Sequence, residues 1–329
     1  MMNPVWRRRR VANTGLFVLT GLAMALWVVN IPAVRERTGA TNSMLGMVLL
    51  LLGVGSVIGM QIAGLISDRR DSRRAAGIAV AVIVIAINLP AQATEVWHLA
   101  VALPLLGLGT GMITVAANDQ AVAIQDAYGR PIMAAFHGYF SIAGAAGSGL
   151  GALFHALDVP LWGALGFASL AAALIGAASV PGLLVSADEP APTPVEDRPT
   201  TGPEPSIIGP AVALAALALL LNLAEGTATD WSAVHAVEHL GLSQATASLA
   251  YGSFALAMTV GRLTIDRVVA RVGPVRVVRY GSALAAVGIL VVVASPVFAL
   301  TVLGWMIFGL GISGIVPQIF TAAGSLSVE

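Results

Sequence analysis

The residues of this chain that could do chemistry are few, and they stand inside long apolar stretches. Two are carboxylates: Asp119, in Ala116-Ala-Asn118-Asp119-Gln120, and Glu225, in Leu223-Ala-Glu-Gly-Thr, with Asp230-Trp231 just beyond it. A charge in hydrocarbon is expensive unless it lines a cavity or meets a partner. Each carboxylate therefore reads either as a group that carries a proton or grips a solute, or as a helix-end acid facing the membrane surface. His137 follows Phe136 and titrates near physiological pH. Nothing around it has metal-ligand spacing, so the competing reading is a hydrogen-bonded packing residue. Trp27 and Asn30 share a helical face by the i, i+3 rule. An indole beside an amide suits stacking on a sugar or another small polar ring, and an aromatic-belt residue with a helix-end amide is the alternative. Trp231, Asn118, Asn222 and Gln318 complete the polar set, while His98 and His155 read as interfacial.

Other chemistry is excluded by what is missing. No His-Glu-x-x-His, Gly-x-Ser-x-Gly or phosphate-loop pattern occurs, and all seventeen basic residues are arginines. An ATP-driven pump is therefore not expected, nor is an enzyme, a metal site or a cofactor. Cysteine is absent, so disulfides and thiolate sites are ruled out.

The elements that must position these residues are membrane helices. Hydrophobic residues make up 57% of the 329 and charged ones 10%, with mean hydropathy +0.87, whereas soluble domains carry about a quarter charged residues. Crossing a bilayer takes roughly 20 helical residues. Ten runs qualify, at approximately 13–34, 44–66, 75–93, 99–122, 134–157, 161–185, 207–225, 245–264, 274–295 and 298–322. Alternating sides from a cytoplasmic N-terminus leaves Arg35 and Arg37 outside and every other arginine, including Arg130 and Arg198, inside. That bias predicts cytoplasmic termini. In this topology Glu225 closes the seventh helix near the outer surface, and Asp119 lies toward the cytoplasmic end of the fourth. Residues 186–206, with six prolines and five acids, read as a solvated cytoplasmic linker. The domains expected are a six-helix bundle over 1–185 and an incomplete four-helix bundle over 207–329.

Two stretches repeat each other. Gly64-Leu-Ile-Ser-Asp68-Arg69-Arg70, continuing to Arg73 and Arg74, is echoed by Gly261-Arg262-Leu-Thr-Ile-Asp266-Arg267, continuing to Arg271, Arg276 and Arg279. Each reads as a charged gating loop: a glycine where a helix leaves the bilayer, an aspartate, then arginines. Leu106-Gly107-Leu-Gly109-Thr-Gly111 is likewise echoed by Phe308-Gly309-Leu-Gly311-Ile-Ser313, small residues that let helices approach closely. Repeats of this kind build transporters that hold solute near the midplane and rock one half on the other.

On these residues the chain resembles the major facilitator superfamily. The stretch Gly64 to Arg74 is similar to the family signature between its second and third helices, with Ser72 at the late glycine. Gly21-Leu-Ala-Met24-Ala-Leu-Trp27, Ile31-Pro32-Ala33-Val34-Arg35, Phe136-His137-Gly138-Tyr139-Phe140-Ser141, Ala224-Glu225-Gly226 with Asp230-Trp231, and Met258-Thr-Val-Gly261-Arg262 resemble the fucose-permease-like bacterial branch. The resemblance implies a twelve-helix plan, of which ten helices are expected here. It implies that Asp68 docks on the start of an eleventh helix, absent from this chain, and that Asp266 docks near Pro131 to Met133 on the fifth. Relatives carry an acid at the position of Thr114, and Asp119 points about 140° away from it at 100° per residue.

The expectation is an all-α polytopic membrane protein of two-bundle fold in the bacterial cytoplasmic membrane, probing no nucleic acid and acting as a monomer. Its function would be secondary transport of a small polar solute, sugar-like, with H+ as coupling ion. A drug/proton antiporter is the alternative, since Gly138, Gly147 and Gly151 have the spacing of the efflux members, although Ala152 stands where they carry proline. A truncated, non-transporting membrane protein is the other.

Overall fold

A computed structural model describes residues 4–69, 72–129, 132–184, 205–315, 318, 319 and 322. Among them are ten α-helices: α1 (Pro4–Thr38), α2 (Asn42–Arg69), α3 (Ser72–Ala86), α4 (Val96–Tyr128), α5 (Met133–Ala156), α6 (Leu161–Ser179), α7 (Pro205–Glu238), α8 (Gln244–Val272), α9 (Pro274–Ala294) and α10 (Phe298–Ile312). Seven of them, α1 to α4, α6, α7 and α9, are long and apolar enough to cross a membrane. The α10 segment has 15 residues, while α5 and α8 are long but rich in small and polar residues. Each packs against its neighbours over part of its surface, α5 lying between α1 and α8, and the small residues let the helices approach closely there.

Consecutive helices alternate direction, so the molecule has two ends. At one end stand Arg7 to Arg10, Arg73, Arg74, Arg267, Arg271, Arg276 and Arg279; this is the arginine-rich end. At the opposite end α1 turns into α2 through Gly39 (φ 66°), and α7 turns into α8 through Gly241 (φ 62°). Glycine is used at both turns because a side chain is strained in the left-handed region. Ser243 then caps α8, its hydroxyl accepting from the Thr246 N–H.

The helix neighbours show that the two repeats are structural. α4 packs on α2 and α3, and α10 packs on α8 and α9. Gly107 and Gly111 lie so close to α2 that a Cβ would collide with the carbonyl oxygens of Leu52 and Ser56. Gly309 faces the Phe254 carbonyl of α8 in the same way. Gly109 presses on Ile83 of α3, and Gly311 on Ala285 of α9. Gly59 meets Leu108, and Gly261 meets Ser313 and Leu310. One residue separation, that from Gly107 to Gly309, carries every one of these positions in α1–α4 onto its counterpart in α7–α10.

That separation corrects the register read from the charged stretches. Asp68 is the next-to-last residue of α2, but Asp266 lies one helical turn deeper in α8 than a true counterpart would. Gly261 and Arg262 are accordingly inside α8 and not in a loop; the chain leaves the helix only at Gly273 (φ 84°). Gly64 is likewise inside α2, facing open space, and Arg73 is in the first turn of α3. Arg267 is exposed on α8. Arg70, Arg130, Pro131, Arg198 and nearly all of the 186–206 stretch fall outside the described residues, and α7 starts within that stretch, at Pro205. The docking expected of Asp68 and Asp266 rests on side chains outside the described set.

Candidate functional site at the meeting of the two helix repeats

Glu225 does not close a helix. The helix α7 continues unbroken for 34 residues to Glu238, which puts Glu225 about 20 Å below that end at about 1.5 Å per residue. Its Oε1 accepts a hydrogen bond from Nη2 of Arg262 at 3.0 Å, and the two side chains remain 27% and 24% exposed. Arg262 stands about 15 Å from the arginine-rich end of α8, with its side chain leaning toward the N-terminal end of its helix as helical side chains do. A carboxylate and a guanidinium are thus joined near mid-depth, in a charge-assisted contact that offsets the cost of removing both from water.

Three more polar groups are linked to the pair by electrostatic interactions, directly or through one another. Tyr251, one face of α8 nearer the opposite end, is buried and lies in the electrostatic field of Glu225, Asp230 and Arg262. Asp230 is on α7, little more than a turn beyond Glu225. His137 reaches the same region from α5, within the field of Arg262, and its ring stands edge-on to Phe17 of α1, with centroids 5.2 Å apart and planes at 73°. Phe17 in turn stacks on Phe136 at 5.5 Å. The site therefore draws on α1 and α5 from the first six helices and on α7 and α8 from those that follow. It combines one cation, two acids, a phenol and an imidazole against an aromatic wall. Such a set can exchange hydrogen bonds with a polar solute and can hold or release a proton at a carboxylate.

The other expected site residues are placed differently. Trp27 and Asn30 are wholly buried in α1. The Asn30 amide donates to the Leu26 carbonyl at 2.7 Å, leaving its oxygen and the Trp27 N–H without hydrogen-bond partners among the described residues. Asn118 and Asn222 each bond back to their own helix, to Thr114 and Ala218, both at 2.8 Å. Asp119 is on an exposed face of α4. Its neighbour Gln120 is the buried one: it donates to Ser72 Oγ at 2.6 Å and to the Leu184 carbonyl at 3.0 Å, and accepts from the Leu184 N–H at 2.8 Å. Gln120 thus ties α3, α4 and the end of the first six helices together. Trp231 is half-buried beside Gly46 of α2, and Gln318 is half-buried beyond α10.

The Glu225–Arg262 pair was not readable as a pair from the sequence. The signal that could have found it is the Gly241-Leu-Ser243 turn, which marks the real end of α7 and the start of α8 and so places both residues mid-helix.

At the opposite end the two repeats are bridged. Arg35 forms an ion pair with Glu238, and Asn42 donates to the same carboxylate at 3.1 Å. Gln244 donates to Glu36 at 3.3 Å, and the Ser148 hydroxyl of α5 donates to the Ser248 carbonyl of α8.

Ten helices among the described residues, eight of them in two matching packing groups, α1–α4 and α7–α10, define a polytopic helical membrane protein of repeat architecture. The family model of the Major Facilitator Superfamily matches residues 14–328, and the chain belongs to that family. An uncharacterized MFS-type transporter of Yersinia pestis is 34% identical over 97% of this chain and 81% of its own length. Two crystal structures share the fold at low identity. A variant of the nucleoside transporter NupG has a TM-score of 0.70 at 15% identity, covering 96% of this chain and 87% of that one. A D-xylose-proton symporter has 0.70 at 14%, covering 97% and 85%.

Proposed function

We propose that this protein is a secondary transporter that moves a small polar solute, sugar-like in size and hydrogen-bonding capacity, by alternating access, within the fucose-permease-like branch of its family. The observation that carries the reading is the Glu225–Arg262 pair, held at mid-depth between α7 and α8 with His137 of α5 in its electrostatic field. In the resting arrangement Glu225 occupies the guanidinium. Protonation of Glu225 releases Arg262 to donate to solute oxygens, and loss of that proton on the other side restores the pair and expels the solute. The coupling ion in this scheme is H+. Family membership supports transport, and the names of relatives and fold neighbours, among them nucleoside and D-xylose transporters, are consistent with a polar solute.

The rocking units in this reading are the six helices of 1–185 and the bundle from 207 onward, joined by a cytoplasmic linker, with the arginine-rich end inside and a monomer as the working unit. Uptake is favoured over the efflux alternative because the glycine spacing in α5 has a packing role of its own. Gly147 and Gly151 are needed where α5 crosses Ala25 and Val29 of α1, so their spacing follows from packing.

The test is uptake of a panel of radiolabelled monosaccharides and nucleosides into energised cells expressing the gene. Glu225→Gln and Arg262→Gln should each lower uptake at least tenfold, while membrane abundance stays at the unmodified level. Unchanged uptake in both variants would refute the assignment.

A further inference from the structure

The first turns of α1 cross the end of α6 at the arginine-rich end, and a groove of about 630 Å³ opens between them. Small residues create it. Gly15 lies against the Ser179 side chain and Gly182 against the Ala12 methyl, each too close for an added Cβ, so small residues form the floor while longer side chains form the rim. Arg7 and Arg8 stand on that rim, both exposed. The next two arginines are turned elsewhere: Arg9 sits over the Trp6 ring at 4.8 Å and Arg10 over the Tyr128 ring at 5.5 Å. Among the described residues, neither Arg7 nor Arg8 is paired with an acid.

One turn deeper, the same stripe becomes apolar. Val11 follows Arg7 at i+4 and is 66% exposed, and Ala178 and Ile175 face it from α6. Two cations at one depth above an open apolar channel at the next match an amphiphile lying along the helices. They do not match a free anion, which would need only the arginines.

We propose that this groove binds an anionic phospholipid, its phosphate between Arg7 and Arg8 and one acyl chain along Val11, Ile175 and Ala178. Basic pockets between helices at a membrane surface recognise such headgroups, at a worth of about 1 kcal/mol per basic residue, or roughly fivefold in affinity each. The site is remote from the Glu225–Arg262 pair and does not depend on the transport reading.

Native mass spectrometry of the detergent-purified protein tests it, with phosphatidylglycerol and phosphatidylcholine of identical chains as probes. Phosphatidylglycerol should be retained roughly 25-fold more strongly, about fivefold for each arginine. The double variant Arg7→Gln/Arg8→Gln should lose that preference. So should Ala178→Trp, which fills the channel from an exposed position and leaves the arginines in place. Arg271→Gln/Arg276→Gln, which removes charge at the same end but away from the groove, should retain it. Equal retention of the two lipids, or no effect of the double variant, overturns the proposal. Loss in the arginine variant with full retention in Ala178→Trp, accompanied by competition from inorganic phosphate, would mean a free-anion site and would overturn it equally. Selective binding that emerges only after Asp188, Glu189, Glu196, Asp197 and Glu204 are changed to amides would assign the groove to the acidic linker instead.

Discussion

The two helix repeats agree in how they pack and differ in what they bury. Counted from their turn glycines, Gly39 and Gly241, the positions that press α4 on α2 coincide with those that press α10 on α8, glycine at Gly59 and Gly261 and at Gly107 and Gly309, with Ser313 at the counterpart of Gly111. At the positions of Glu225 and Arg262, however, the first repeat has Ala23 and Met60. Ala23 is buried and Met60 is on an exposed face of α2. The repeats therefore share a scaffold set by backbone-to-backbone approach, where side-chain volume is limiting. The charge is present in one of them only. Packing is a property that each repeat needs in order to fold in lipid, where no hydrophobic driving force distinguishes helix from solvent. A charged pair is not needed for that, so its presence in one repeat points to use.

The packing half of this comparison predicts the largest effect. Gly107→Val on α4 should drive a branched side chain into the Leu52 carbonyl, and Gly309→Val on α10 should do the same at Phe254. Each should cost about 3 kcal/mol or more, since backbone cannot yield as a side chain can. Gly64→Val, facing open space in α2, should be nearly silent. Thermal unfolding in detergent measures all three, and a destabilisation confined to one repeat would break the equivalence.

Much of the scaffold was legible in the sequence because lipid imposes length and composition directly. The ten described helices overlap the ten apolar runs, and seven of them are long and apolar enough to cross a membrane. The Leu106 and Phe308 stretches were legible as a repeat because small residues at close crossings are constrained one by one. Charge was less legible. Glu225 and Asp230 interrupt an apolar run and so resemble a helix end, whereas α7 passes through them because Arg262 answers the charge from another helix. Arg262 itself, four residues before Asp266, was drawn into an apparent match with the Gly64 stretch. That match is off by one turn, and helix periodicity disguises such a slip because residues one turn apart share a face. Partners distant in sequence carry no local signal, which also hid Gln120 behind the more conspicuous Asp119.

The charged half of the comparison can be sharpened by making the second repeat resemble the first. Arg262→Met alone leaves Glu225 without its cation, and should destabilise the protein by about 1–3 kcal/mol. Glu225→Ala with Arg262→Met installs the first-repeat residues at both positions. It should recover most of that stability, because the apolar pair needs no partner, while uptake stays lost. Recovery of stability separates this outcome from simple misfolding. If the double variant is less stable than Arg262→Met, the pair contributes to the scaffold and the contrast between the repeats is weaker than drawn here.

The smallest effect concerns the opposite end, where the repeats touch each other through Arg35, Glu238, Asn42, Gln244 and Glu36. The Arg35–Glu238 pair is partly exposed, at 26% and 29%, so breaking it with Glu238→Gln should cost only about 0.2–1 kcal/mol in stability. Its influence on the balance between states should be easier to see. The chain has no cysteine, so a single Ser148→Cys, beneath the contact of α5 with α8, reports opening of this end without background. In intact cells a membrane-impermeant maleimide should label Cys-substituted position 148 slowly, and roughly two- to fivefold faster when Glu238→Gln is added, the range that a pair of this strength can shift. The gain should shrink at high salt, which screens the unmodified pair as well. Labelling that ignores Glu238→Gln would show that the α5–α8 contact alone closes this end, and labelling only from the inner face would reverse the sidedness inferred from the arginines.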